Sequence, residues 1–147
     1  MRSAVISLLL LCSPAAKAAE QFDCGGARAA FHFVPAAGDH PGAGRATLEV
    51  RRGDAGRTFD LNGDFVGGLC VANDDAQPLI VYQAYCGGSG CRDYDNWGVI
   101  DPRTLAPLLV PDDGNRAAAR RIIGGRFPDH IPIAEMMAVQ EKLATGR

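Results

Sequence analysis

The residues best suited to chemistry lie in one short stretch, Cys86-Gly-Gly-Ser-Gly-Cys91, followed by Arg92-Asp-Tyr-Asp-Asn-Trp97. Glycines around Ser89 invite comparison with the nucleophile elbow of serine hydrolases. That motif needs Gly-x-Ser-x-Gly on a sharp turn between a strand and a helix, whereas here a cysteine-flanked loop runs into a polar turn and another strand. A phosphate loop is excluded as well, because the Lys-Ser/Thr ending and the following helix are missing. Asp93-Tyr94-Asp95-Asn96 has the opening of a calcium loop, but Trp97 takes the next polar position and no acidic residue closes the pattern. A turn in which Asp95 or Asn96 bonds its own backbone is the expected use of these residues.

The three histidines add little to a catalytic reading. His32 sits in an alternating strand between Phe31 and Phe33, and His40 and His130 lie in polar, proline-bordered segments, so structural or solvent roles are expected for all three. No cofactor and no metal site is expected: no histidine is close to the cysteines in sequence, and oxidation would consume the thiolates that zinc requires. Thiol redox catalysis is disfavoured too, since the spacing is not Cys-x-x-Cys.

The cysteines are better explained by export. Arg2 followed by the apolar run Ala4 to Leu11, then Ala16-Lys17-Ala18, has the layout of a signal peptide cleaved after Ala18 or Ala19. The run is too short to span a bilayer, so membrane insertion after cleavage is not expected. Cys12 does not fit a lipoprotein attachment site, because Leu9 to Leu11 stand where small residues are needed. Removing 18 of the 147 residues leaves 129, enough for a single β-rich domain over 19–147. That domain carries 13 basic and 17 acidic residues, a formal charge of −4, which argues against nucleic acid and anionic membrane as partners. Its four cysteines, Cys24, Cys70, Cys86 and Cys91, suit two disulfides in a periplasmic or secreted protein. Of the three connectivities, one closes the Cys86 to Cys91 gap as a tight loop and leaves Cys24 to pair with Cys70.

The elements that must position this loop are short and mostly extended. Turn residues recur about every ten positions, which predicts a mainly β domain of antiparallel hairpins and meanders with one or two short C-terminal helices. Strands are expected over 29–34, 46–52, 57–61, 64–71, 79–86, 96–101 and 105–110. The pair flanking Gly53-Asp-Ala-Gly56 should form a hairpin, and Gly67-Gly68 should mark a bulge or a close backbone approach. Leu79 to Cys86 should run through the centre of the sheet, and Pro107 should place the last strand at an edge. Asp112 or Asp113 is expected to cap a helix that ends at Gly124-Gly125, and a second helix is expected over Ile133 to Ala144.

The loop itself is a preorganised protrusion if Cys86 and Cys91 are bonded, because three glycines allow backbone shapes closed to other residues. The signal peptide, the short β units, Cys86-Gly-Gly-Ser-Gly-Cys91 and Asn96-Trp-Gly-Val-Ile-Asp101 together resemble periplasmic immunity proteins that neutralise peptidoglycan amidases delivered by type VI secretion. The resemblance rests mainly on residues 79 to 110. It implies a stoichiometric enzyme inhibitor rather than an enzyme, with Ser89 entering the amidase cleft and Gly87, Gly88 and Gly90 keeping the loop slim. Tyr94 and Trp97 would flank it as interface aromatics, although Trp97 is expected in the core. Two other readings remain open at this stage: a small hydrolase using Ser89 or a histidine, and an accessory subunit of an envelope assembly.

Overall fold

Short extended segments separated by turns make up most of the described residues and form nine strands. The computed structural model describes residues 21–34, 45–85, 96–129 and 131–135. The strands are β1 (Gln21–Cys24), β2 (Ala27–Val34), β3 (Arg45–Arg52), β4 (Ala55–Leu61), β5 (Phe65–Ala72), β6 (Pro78–Tyr85), β7 (Trp97–Asp101), β8 (Ala106–Leu109) and β9 (Ile133–Glu135). One helix, α1 (Arg116–Ile123), precedes a 3-10 turn at Gly124–Arg126. All the pairings are antiparallel, in a four-stranded sheet ordered β1-β2-β3-β4 and a five-stranded sheet ordered β8-β7-β6-β5-β9. The expected mainly β fold with a short helix towards the C-terminus is what forms.

The two sheets face each other across one core. Ala29, Phe31, Ala46, Leu48 and Val50 from the first sheet meet Val66, Ile80, Tyr82, Ala84 and Ile100 from the second. A second core lies behind the second sheet, where Leu79, Val81, Trp97 and Val99 pack under Ala119 and Ile123 of α1. β6 is therefore buried on both faces, and its unbroken apolar run has that cause. Its expected central position and the edge position of β8, which carries Pro107, both hold.

Glycines act here at points of close approach. Gly25 and Gly26 both have positive φ, 56° and 81°, and close the β1–β2 hairpin, a turn conformation that favours glycine at both positions. At Gly67 and Gly68 the ladder to β6 runs without a break, so the pair marks close approach rather than a bulge. A Cβ on Gly67 would stand 1.9 Å from the Pro132 carbonyl oxygen, and one on Gly68 would stand 3.1 Å from Phe31 Cζ.

Two expectations about the helices need correction. α1 starts after Asn115, not at Asp112 or Asp113, and Asp112 Oδ1 instead accepts the Asp113 amide at 2.9 Å. The second expected helix does not begin at Ile133. Residues 133–135 pair with β5, because that strand would otherwise leave an open row of amides and carbonyls at the sheet edge; the remainder of the expected helix lies outside the described residues. β1 was not foreseen, since four residues with one buried side chain carry almost no period.

Cys24 and Cys70 form the expected disulfide, which joins β1 of the first sheet to β5 of the second. The proposed Cys86 to Cys91 bond and the signal segment 1–18 lie outside the described residues.

Candidate functional site

Several strand ends come together where β6 ends and β7 begins. β4 stops at Leu61, β6 at Tyr85 and β8 at Leu109, and β7 starts at Trp97. Gly87, Gly88, Ser89, Gly90 and Tyr94, the residues expected to meet a partner, belong to the connection between β6 and β7 and lie outside the described residues. The described residues do define how that connection is rooted.

On the β6 side, the Asp64 amide donates to the Tyr85 carbonyl at 2.9 Å. Gly63 lies flat against the same residue; a Cβ there would stand 2.7 Å from the Tyr85 amide nitrogen. The Phe65 and Tyr85 rings stack with centroids 5.2 Å apart. On the β7 side, one side chain holds the return. Asn115 Oδ1 accepts the Trp97 amide at 2.8 Å, and its Nδ2 donates to the carbonyls of Trp97 at 2.7 Å and Val110 at 2.8 Å. The carboxamide thus behaves as a short piece of strand between the start of β7 and the end of β8. Replacing it (Asn115→Ala) removes three bonds to backbone and is expected to cost on the order of 2 kcal/mol. A denaturant midpoint checks the size, and faster hydrogen exchange at the Trp97 amide checks the location.

Trp97 itself is core, as expected, and is not a partner-facing aromatic. It is 3 % exposed, its ring centroid is 4.5 Å from that of Phe127, and the Arg116 guanidinium lies over both rings. At the far end of β7, Asp101 accepts the Arg103 amide at 2.9 Å, and that bond holds its carboxyl below the usual range.

Between these roots and the edge of the first sheet lies a cavity of about 360 Å³. Phe59, Asp60, Leu61 and Asn62 form the wall from β4, and Val110, Pro111, Asp112 and Asp113 form the wall after β8. Tyr82, Ala84 and Asn96 lie between them. Such a volume is at the lower end of the roughly 300–1,000 Å³ typical of small-ligand sites.

Tyr82 is the chemical centre of this cavity, and its posture depends on one glycine. It pairs with Gly98 across the β6–β7 ladder, and a Cβ on Gly98 would stand 2.1 Å from Tyr82 Cζ. The ring therefore lies over Gly98 of β7, and Tyr82 lines the cavity together with Val110 and Pro111. Burial pushes the phenol pKa from 10.0 up to about 12. A folded-state value above the unfolded one means that this group's contribution to stability is fully present below pH 10. It is lost as pH rises from 10 towards 12. Alkaline titration followed by phenolate absorbance is expected to show a late step near pH 12 that is missing from Tyr82→Phe.

The sequence offered no signal for Tyr82 beyond its place in a buried strand, and Asp112 and Asp113 suggested a helix cap. His32, in contrast, is exposed on the outer face of the first sheet and bonds Glu49 Oε2 at 3.1 Å. A hydrogen bond from Arg51 holds the Glu49 carboxyl below its ordinary value. Among the described residues, no group of three or more His, Cys, Asp or Glu side chains could hold a metal ion, and no helix is long and apolar enough to cross a membrane. No family model, curated protein or solved structure matches the chain.

Proposed function

We propose that this chain is an exported binding protein that neutralises a cell-wall hydrolase, a peptidoglycan amidase delivered by type VI secretion, by inserting the 86–91 segment into the enzyme's cleft. On this reading residues 1–18 are removed on export, and the disulfides form in the oxidising periplasm. The chain acts as an inhibitor rather than as an enzyme.

What supports the proposal is the rooting of the 86–95 connection. It leaves a strand buried on both faces and returns beside it, and both roots are tied by hydrogen bonds from neighbouring segments. Connections between firmly held strand ends are where binding residues are commonly carried. Glycines at 87, 88 and 90 keep the segment slim enough for a narrow cleft, with Ser89 as its polar tip and Tyr94 on its flank.

Immobilised mature protein is expected to capture a type VI amidase and to block its cleavage of peptidoglycan at equal molar ratio. Ser89→Arg puts a long charged side chain at the tip and is expected to weaken capture by roughly tenfold or more, as for a residue at the centre of an interface. Equal capture by Ser89→Arg would end the loop-insertion reading while leaving a binding role intact.

A further inference from the structure

We propose that the cavity between β4 and the 110–113 segment is a binding site for an organic cation, a guanidinium or primary ammonium group carried on an apolar stem. This site is separate from the 86–91 loop and does not depend on the amidase reading.

One polar side chain in the lining is deeply buried and has no partner among the described residues. Tyr82 is only 1 % exposed, yet its hydroxyl makes no hydrogen bond among the described residues. A ligand donor at the phenol oxygen would supply the hydrogen bond that the described residues do not.

The sign of the ligand follows from the walls. Asp60, Asp112 and Asp113 line the cavity, and no lysine, arginine or histidine does so among the described residues. An anion would meet uncompensated like charge there, whereas a cation would meet carboxylates and an acceptor oxygen. Several N–H donors are needed to bond the Tyr82 oxygen and the carboxylates together, which a guanidinium or an ammonium supplies and a bare metal ion does not.

The stem follows from the apolar lining. Leu61, Ala84, Val110 and Pro111 line the cavity together with Tyr82, and Leu108 and Val110 stay 47 % and 57 % exposed on the neighbouring edge strand and just after it. Aliphatic carbons of an arginine or lysine side chain would cover this surface while the charged head reaches the acids. Such a cation could be a free small molecule or a side chain of a polypeptide, and the chemistry recognised is the same.

The probes are Nα-acetyl-arginine-methylamide for the free source and the pentapeptide Ala-Ala-Arg-Ala-Ala for the polypeptide source, titrated into the full mature chain with the Tyr82 ring resonances as readout. The citrulline analogue of the first probe keeps the shape and removes the charge. Saturable shifts with an arginine probe are expected, weakened roughly tenfold or more by citrulline and by the double variant Asp112→Asn with Asp113→Asn. Tyr82→Phe, which removes only an unpartnered hydroxyl, is expected to keep the fold and to weaken binding severalfold, read from the backbone amides of Ala84 and Asn96. Tighter binding of the peptide would assign the site to polypeptide side chains; equal binding would assign it to free cations. Absence of saturable shifts, equal binding of the citrulline analogue, or indifference to both variants would overturn the proposal. Amidase capture can fail or succeed without altering any of these outcomes.

Discussion

Replacing Cys24 and Cys70 together by alanine is expected to lower unfolding stability by about 4 kcal/mol, the loop-closure value for a cross-link spanning 46 positions. The effect is large because domains of this size are stable by only about 5–15 kcal/mol. It is also directional. This bond ties the outermost strand of the first sheet to the second sheet, so its loss releases β1 as well as widening the unfolded ensemble. Urea unfolding under oxidising conditions should show a lower midpoint for the double variant, and hydrogen exchange should show β1 opening ahead of β6. A midpoint unchanged from the parent would mean that the apolar contacts between the sheets suffice alone.

The second large effect concerns Gly98. An added methyl there would stand 2.1 Å from Tyr82 Cζ, so the buried ring or the β6–β7 ladder must shift to relieve the overlap. Gly98→Ala is expected to cost about 3 kcal/mol, at the upper end of overpacking penalties. Tyr82→Ala should cost about 3–5 kcal/mol through the void it leaves. The double variant is the discriminating measurement: with the ring gone the methyl partly fills the void, so the combined cost should be smaller than the sum by about 1–2 kcal/mol. Strict additivity would show that the ring does not depend on the glycine. Tyr82 also lines the cavity, so a stability cycle here also reports on a wall of the candidate cation site.

Much of the fold could be read from local pattern. Ala46, Leu48 and Val50 alternate with Thr47, Glu49 and Arg51, and the buried face of β3 is the one this alternation names. β6 lacks alternation because both its faces are covered, and Pro107 marks an edge because it has no amide to donate. The Cys24 to Cys70 pairing was also accessible, by leaving the closely spaced pair to each other.

Period 2 and period 3.6 say which side of an element is buried, but not against what. That is why the sorting of nine strands into two sheets was not legible, nor the use of Ile133 to Glu135 as a strand covering β5. The site was hidden for the same reason. Asn115 looks like an ordinary helix-start residue until Trp97 and Val110 are brought beside it. Tyr82 and Gly98 look unrelated until β6 and β7 pair in register. By itself the sequence determined most of the strands and the glycine-rich segment between two cysteines. Tertiary structure alone decided that Tyr82, Asn96 and the Asp112–Asp113 pair share a cavity at the base of that segment, because contacts between distant residues depend on pairing and register that no local period encodes.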